Sequence, residues 1–334
     1  MKIVLFDIDE EQRPAFHELE RDHEVVYEAG PLRPASARRF ADAEVISMGG
    51  GSDGSAGVLA ELPRLRMIAE RSTGVDNIDL GYCREHEIRV ANVPGYGKDA
   101  VAEHVFALML AISHRLVDAV ERARHGKYSP VGLEGFELHD KTLGVVGVGA
   151  IGSSVIRIAR GFGMNVLAFD RHPREAEAQQ LGFAYTTLDE VLRRSDIVML
   201  HVALIEETRH LIGREQSATM KDGAVLINTA RGELVDTTAL VEALGNGKLS
   251  AAGLDVLPQE TVLGDERALV HRAFEEPHEL PTLMADEVLL RMPNVIVTPH
   301  SAAYTREAVR RILDTSVQNI RAFLDQPGTA MHAL

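Results

Sequence analysis

The stretch KTLGVVGVGAIGSSVIRIARGFGMNVLAFD, Lys141–Asp170, contains the pattern that decides the fold. Its apolar run Leu143–Val148 suits a strand that is buried on both faces. Apolar residues at helical spacing predict a helix over Ala150–Gly163, and a second apolar strand, Asn165–Phe169, leads directly into Asp170. Strand, glycine turn, helix, strand and acid in this order form the dinucleotide-binding fingerprint.

The glycines of this stretch have distinct physical roles. Gly147 permits the tight turn, Gly149 has no Cβ and lets a pyrophosphate approach the backbone, and Gly152 lets the helix lie close to the strand. The phosphates then sit at the helix N-terminus, where the helix dipole and the free N–H groups predicted at Ala150 and Ile151 favour negative charge.

The acid at the end of the second strand bears on the choice of cofactor. The Asp170 carboxylate can accept hydrogen bonds from the adenosine ribose hydroxyls and repels a 2′-phosphate, so the sequence predicts NAD and disfavours NADP. The basic residues Arg171 and His172 follow directly and oppose that preference.

Composition limits the class of protein. The chain has 334 residues, an apolar fraction of 45% and a formal net charge of −15, which predict two globular domains. The negative charge argues against nucleic acid or an anionic membrane as a partner, and the apolar runs are too short for a membrane span or a signal peptide. The single cysteine, Cys83, excludes an intrachain disulfide framework and fits a cytoplasmic location.

Apolar runs alternate with helical segments along the chain, which predicts parallel sheets covered by helices on both faces. In the first part of the chain the predicted strands are Lys2–Ile8, Glu24–Tyr27, Glu44–Ser47, Arg66–Ala69 and Arg89–Asn92, with a helix over Glu11–Arg21. Beyond Asp170 they are Asp196–His201, Ala224–Asn228, Ala252–Asp255 and Val295–Thr298, with helices near Leu188–Arg194, Arg214–Met220 and Thr237–Gly245.

Two longer helices connect these parts. The helix predicted over Ala100–Arg124, with Asp99 as its N-cap, is apolar almost all round at Val105–Ile112, so we expect it to be buried on more than one side. It could be an inter-domain helix, a subunit-interface helix, or both. The amphipathic helix Arg306–Leu324 is long enough to cross back to the first domain.

These elements predict an α/β fold of two doubly wound parallel-sheet domains with a cleft between them. A Rossmann cofactor domain, residues 101–300, is inserted into a flavodoxin-like substrate domain formed by residues 1–100 plus 301–334.

Polar residues follow several predicted strands. Arg231, Asp255 and His300 each come shortly after an apolar run, and Glu260 follows Asp255 closely. Because parallel strands place their carboxyl ends at one edge of a sheet, we expect these groups to converge. In the first domain, the small residues after Arg71 can present backbone N–H groups to a carboxylate.

The motifs RSTGVDNID, NVPGYGKDAVAEH, GVVGVGAIG, INTARGELVD, GLDV and TPHSAAYT occur in this order. In these motifs the chain resembles the NAD-dependent D-2-hydroxyacid dehydrogenases over nearly its whole length, and most closely their D-lactate dehydrogenase branch. The resemblance implies hydride transfer between NAD(H) and a small 2-oxo acid or D-2-hydroxy acid by a homodimer.

The resemblance also implies roles for individual residues. The family's catalytic arginine, glutamate and acid/base histidine correspond to Arg231, Glu260 and His300. Tyr96 and the backbone at Thr73–Gly74 correspond to substrate contacts, which Arg231 and His300 also make. Further cofactor contacts are expected at Val202, Thr208, Thr229, Ala230 and Asp255.

These implied roles agree with the chemistry of the side chains. Arg231 offers a planar fork of donors that matches a substrate carboxylate and carbonyl. A protonated His300 can donate its proton to the carbonyl oxygen when hydride reaches C2, and it is the base in the reverse direction. Glu260 beside it would raise the pKa of the imidazole and fix its orientation.

Two positions depart from the family pattern. Ala203 stands where family members commonly have proline, in a loop that borders the cofactor. Ala303 stands where lactate-type members usually have an aromatic residue, with Tyr304 next. The small side chain leaves room, so we predict appreciable activity on 2-oxo acids larger than pyruvate.

Other interpretations remain open from the sequence. The substrate could be another acid, such as glycerate, glyoxylate or phosphite. The chain could instead be a dinucleotide-sensing binding protein like the corepressor relatives of this family, although we expect no regulatory tail of the kind those relatives carry.

The remaining histidines receive structural interpretations. We interpret His104 and His114 as packing or surface residues, and His201 and His210 as structural or supporting, with a place at the cofactor edge open to His201. We predict no metal site and interpret the acids and histidines of HRAFEEPHEL as a charged connection: His271, Glu275, Glu276, His278 and Glu279.

Overall fold

The computed structural model describes residues 1–260, 262–263 and 276–325. The chain forms two compact units, one of Met1–Tyr96 together with the segment that begins at Thr305, the other of Gly97–Tyr304. Each unit is built on one parallel sheet, which confirms the predicted pair of α/β domains.

The first unit contains a five-stranded parallel sheet in the order β2-β1-β3-β4-β5. Its strands are β1 Lys2–Leu5, β2 Glu24–Tyr27, β3 Val45–Met48, β4 Met67–Glu70 and β5 Arg89–Ala91. Successive residues of a strand point to opposite faces, so Val4 packs in one hydrophobic cluster while Ile3 and Leu5 pack in another. The sheet is therefore buried on both faces.

The second unit contains a seven-stranded parallel sheet in the order β12-β11-β10-β9-β6-β7-β8. Its strands are β6 Thr142–Val146, β7 Asn165–Phe169, β8 Ala184–Tyr185, β9 Ile197–Leu200, β10 Ala224–Asn228, β11 Leu249–Leu254 and β12 Val295–Val297. The chain runs outward in both directions from the adjacent pair β6 and β9. That pair is the topological switch point at which doubly wound sheets bind ligands.

Helices cover the faces of both sheets. In the part of the chain that the structure describes they are α1 Pro34–Ala37, α2 Ala56–Leu59, α3 Leu80–Glu85, α4 Lys98–Ser113, α5 Leu116–Arg124, α6 Ala150–Gly161, α7 Glu175–Leu181, α8 Leu188–Arg194, α9 Arg214–Thr219, α10 Thr237–Gly245, α11 Leu280–Leu289 and α12 Arg306–Asp325. The final helix buries Leu313, Val317 and Phe323 in the same hydrophobic cluster of the first unit as Ile3 and Leu5.

The helix predicted over Glu11–Arg21 is wrong. The segment contains two short 3-10 helices, Arg13–Phe16 and Leu19–Arg21. Pro14 has no backbone N–H to donate, and the segment forms tight i→i+3 turns instead.

The single helix predicted over Ala100–Arg124 is also wrong, since α4 and α5 meet at a bend of 64°. The carbonyl of Ser113 accepts the N–H of Phe136 at 2.8 Å, and Arg115 has a left-handed φ of 47°. The chain that crosses the end of α4 passes so close that a Cβ on Gly135 would overlap Ser113 O. A tertiary contact therefore interrupts the helix.

The start of α4 differs from the prediction as well. The helix begins at Lys98, so Asp99 lies in its first turn and the N-cap position belongs to Gly97. The predicted burial holds for α4, whose Val105, Leu108 and Met109 lie in the core of the second unit.

Among the described helices none alone could cross a membrane by length and composition. Only α4 and α5 taken together as a bent pair pass that test, which the core helices of other proteins also pass.

The strands of the second sheet end side by side. The register pairs Val146 with Leu200, Leu200 with Asn228, Asn228 with Leu254, and Leu254 with Val297. The residues that follow these strands therefore emerge along one edge of the sheet, which positions the candidate site.

Candidate active site

The glycine turn after β6 is tightly enclosed on one side and open on the other. Gly147 has a φ of 97°, and a Cβ there would lie 2.7 Å from the backbone of His201. A Cβ on Gly152 would overlap Gly147 O, whereas one on Gly149 would meet nothing within 4 Å. The open face at Gly149 leaves room for a phosphate to approach the backbone.

The N-terminus of α6 presents donors beside this opening. The first helical bond runs from Ser153 N to Gly149 O at 3.0 Å, so the N–H groups of Ala150 and Ile151 precede the hydrogen-bonded helix. Asp170 Oδ2 accepts the N–H of Val148 at 2.7 Å. The acid thus holds the turn while its carboxylate keeps lone pairs for a ribose hydroxyl.

The other predicted cofactor residues follow β9 and β10. The side chain of Val202 borders Gly147, and the Thr208 hydroxyl donates to Ala203 O at 2.7 Å, which shapes the loop. Thr229 Oγ1 is buried and has no hydrogen-bond partner among the residues described, and Ala230 follows it. A buried hydroxyl of this kind, at the same edge of the sheet as the glycine turn, fits the polar atoms of a dinucleotide.

Burial determines the charge state of the histidine at the switch point. His201 has its pKa lowered to about 4 by desolvation, so it is neutral near pH 7. This agrees with its structural interpretation.

The loop that carries Arg231 is held by Asn228, the last residue of β10. The Asn228 side chain donates to Arg231 O at 2.7 Å and accepts the N–H of Ala230 at 3.0 Å. A Cβ on Gly232 would overlap the backbone of Leu257, so this loop packs directly on the loop that leads to Glu260. The arginine and the glutamate are thereby brought to neighbouring loops.

Glu260 and His300 form a direct pair. His300 Nδ1 lies 2.7 Å from Glu260 Oε1. The hydrogen bond to Glu260 is the main cause that raises the pKa of His300; burial and the positive charge of Arg231 oppose it. With Nδ1 engaged, Nε2 is the ring atom available for proton exchange with a ligand.

Asp255 is almost fully buried and supports the loop of His300. Its carboxylate accepts the N–H groups of Ser301 and Ala302, each at 2.9 Å. Its backbone oxygen accepts the N–H of His300 at 2.9 Å. In this structure Asp255 therefore orders the loop after β12, whereas its expected cofactor contact remains a prediction.

The predicted substrate contacts Thr73, Gly74 and Tyr96 belong to the first unit. The Thr73 hydroxyl donates to Val93 O at 2.9 Å, and Asn92 Nδ2 donates to Thr73 O at 2.8 Å, so the loop after β4 is tied to the loop after β5. The first unit thus holds these residues in a defined loop pair.

Sequence reasoning missed four residues that shape the site: His104, Asn228, Asp286 and Thr298. Asp286 on α11 accepts the N–H of Gln259 at 3.0 Å, directly before Glu260, and burial raises its pKa to about 6. Thr298 and Asn228 end or follow apolar runs, which is a usable signal. His104 and Asp286 lie within helices, where nothing in the sequence distinguishes them.

The possible metal ligands of HRAFEEPHEL fall partly outside the described residues. His271 and Glu275 lie outside them, while Glu276, His278 and Glu279 place one potential ligand atom each within 4.8 Å of one another.

Comparisons with known proteins identify the family. The profile described as "D-isomer specific 2-hydroxyacid dehydrogenase, NAD binding domain" matches residues 106–302. The chain is 36% identical over 300 residues to glyoxylate reductase of Korarchaeum cryptofilum, covering 89% of this chain and 84% of that protein. It is 37% identical over 327 residues to the D-specific alpha-keto acid dehydrogenase of Enterococcus faecalis, covering 97% of each.

A solved structure is similar over the whole fold. The D-lactate dehydrogenase of Aquifex aeolicus, complexed with NAD and lactic acid, matches with a TM-score of 0.87 and 35% identity over 98% of both chains. The family and cofactor predicted from the motifs are thus confirmed. The chain belongs to the D-isomer specific 2-hydroxyacid dehydrogenases, NAD-dependent oxidoreductases that act on the CH–OH group of 2-hydroxy acids.

Proposed function

We propose that Arg231, Glu260 and His300 are the catalytic residues of a D-lactate dehydrogenase-like reductase of small 2-oxo acids. The observation that carries the proposal is the contact of 2.7 Å between His300 Nδ1 and Glu260 Oε1 at the carboxyl edge of the sheet. A histidine with a raised pKa, whose Nε2 has no hydrogen-bond partner among the described residues, is suited to donate a proton near neutral pH.

In this proposal each side chain has one task. The Arg231 guanidinium binds the substrate carboxylate and polarises the carbonyl. His300 Nε2 protonates the carbonyl oxygen as negative charge develops there, and Glu260 stabilises the imidazolium before the transfer. Hydride would come from the nicotinamide of NADH when that cofactor is bound.

Replacing His300 tests this assignment. We expect His300→Ala to lower the rate of NADH oxidation by about 100-fold or more, the typical contribution of a positioned acid, while NADH still binds by fluorescence titration. His86→Ala, on the surface of the first unit, serves as the matched control. Near-normal turnover in His300→Ala would contradict the assignment.

The substrate is proposed to include acids larger than pyruvate. Ala303 is a small residue close to Gly97, where a Cβ on the glycine would lie 3.0 Å from that of Ala303. The similar proteins are named for glyoxylate, alpha-keto acid and lactate substrates, so the name of a relative does not choose among them. Relative rates with glyoxylate, pyruvate, 2-oxobutyrate and 2-oxoisocaproate decide: strict preference for pyruvate or glyoxylate contradicts the proposal.

We further propose that the first unit is the substrate domain and supplies Thr73, Gly74 and Tyr96, in agreement with the hydrogen bonds that tie its loops together.

A cytoplasmic location is supported by Cys83, a buried free thiol in a chain with one cysteine. Cell fractionation tests that location.

A homodimer is proposed from the surface of α5. Leu116, Val117 and Val120 are exposed on this helix, and Val131 is 80% exposed in the segment that follows. That segment lies along α5 because Arg122 donates to Val131 O at 2.8 Å. Exposed apolar residues of this kind suit a self-complementary contact with a second copy of the chain.

A further inference from the structure

His300 has a backbone conformation that needs outside support. Its φ of 49° is left-handed, which is unfavourable for a residue with a Cβ. Its N–H donates to the carbonyl oxygens of Asp255 and Thr298, each at 2.9 Å. Together with the N–H groups of the next two residues, which donate to the carboxylate, these contacts make Asp255 the main support of the turn.

The Asp255 carboxylate must itself be held. Its side chain is 1% exposed, so its charge requires hydrogen-bond donors inside the protein. The hydroxyl of Thr298 donates to Oδ1. A hydroxyl has a single proton, so Thr298 Oγ1 can only accept from any third group.

His104 is that third group. Its Nε2 lies 2.9 Å from Thr298 Oγ1 and 3.5 Å from Asp255 Oδ1. Because the Thr298 proton goes to Asp255, the hydrogen must be on Nε2 of His104, which donates to the threonine. No sequence pattern indicates this role, since His104 lies within an apolar helix.

The packing of α4 makes this reach possible. Leu108, one turn after His104, lies over Gly253 in β11, the strand that leads to Asp255. A Cβ on Gly253 would lie 3.2 Å from the Cβ of Leu108, tighter than ordinary contact. Its absence allows the helix to approach the strand and places the imidazole at the strand end.

We propose that His104 is a positioning residue for proton transfer at His300. It donates to Thr298, Thr298 fixes the Asp255 carboxylate, and Asp255 holds the left-handed turn that presents His300. The inference rests on the proposed function, because it takes His300 as the group that exchanges the proton. In this role His104 acts through Thr298 and Asp255.

Three single variants and one double variant of the full chain test the proposal with NADH and either pyruvate or 2-oxoisocaproate. His104→Phe keeps a ring of similar size but removes the donor, and we expect kcat to fall by up to about 100-fold while KM for NADH stays within about twofold. His104→Gln retains an N–H donor and should recover most of kcat. Thr298→Val should show the same loss as His104→Phe, and the double variant should show no larger loss.

The matched control is His114→Phe, an exposed position at the end of the same helix, which should leave kcat unchanged. Unchanged kcat in both His104→Phe and Thr298→Val would overturn the proposal, as would equal impairment of His104→Gln and His104→Phe. If His104→Phe does not fold, the other two single variants still test the proposal. It then requires a lower kcat in Thr298→Val and a largely retained kcat in His104→Gln. Full turnover in His300→Ala would instead overturn the proposed function, so the two failures are distinguishable.

Discussion

At the level of single residues, the Glu260–His300 contact sets the pH range of the proposed reaction. The raised pKa of His300 keeps the imidazolium populated to higher pH than an ordinary histidine, whose pKa is 6.5. Reduction needs the protonated ring, so its rate is expected to fall as the pH rises through the pKa of His300.

Glu260→Gln should move that fall to lower pH, because it removes the carboxylate that favours the imidazolium. At a pH above the pKa of His300 in both proteins, the variant has less imidazolium, and we expect its reduction rate to be lower by roughly tenfold. Oxidation of the hydroxy acid needs the neutral ring and should extend to lower pH in the same variant. Profiles of kcat/KM against pH, recorded for reduction and for oxidation, measure both effects.

Glu215→Gln, an exposed acid of α9 in the same unit, is the control for this prediction. If the pH dependence of reduction is unchanged in Glu260→Gln, the carboxylate does not raise the pKa of His300.

At the level of elements, the strand–helix–strand unit around α6 gives Asp170 two tasks. Its Oδ2 and Oδ1 accept the N–H groups of Val148 and His172 at 2.7 and 2.8 Å, so the acid shapes the glycine turn in addition to its predicted role at the ribose. The positive charge of Arg171 next to it could receive a 2′-phosphate once the carboxylate is gone.

We therefore expect Asp170→Ala to raise the ratio of kcat/KM for NADPH to that for NADH by about tenfold, which corresponds to ~1.4 kcal/mol. Loss of the carboxylate removes both the ribose acceptor and the repulsion of the 2′-phosphate. Asp170→Asn retains one acceptor oxygen for the turn and separates the effect of charge from that of loop shape. An unchanged ratio in both variants would refute this role of the charge.

The two helices that replace the predicted long one have opposite surroundings. α4 buries its apolar residues in the core of the second unit, whereas α5 has no buried residue. The sequence left open whether the apolar helix served inside the chain or at a subunit interface. The break at Arg115 leaves the buried role to α4, and the interface role is our proposal for α5.

At the level of the whole molecule, the apolar face of α5 predicts assembly with a second copy. Val120→Glu places a charge in that face and should lower the mass measured by light scattering from that of two chains to that of one. Met284→Glu, an exposed apolar position on α11, is the matched control and should leave the mass unchanged. A dimer that persists in Val120→Glu would exclude α5 as its interface.

The strands and helices of the second unit were largely predictable because residues that are neighbours along the chain define their bounds. Asn165–Phe169, Ala224–Asn228, Leu188–Arg194 and Thr237–Gly245 have the predicted bounds. Buried parallel strands are near-continuous apolar runs bounded by polar residues, so their ends are readable. The two-residue β8 offered no such run and was missed.

The sequence by itself determined the alternating fold, the dinucleotide turn and the strand ends that carry Arg231 and His300. These features depend on periodicity, glycine and polar residues that are neighbours along the chain. Tertiary structure alone decided where the long helix breaks, that His300 has a left-handed backbone, and that His104 reaches Thr298 and Asp255. These features depend on atoms far apart in sequence, and only packing brings those atoms together.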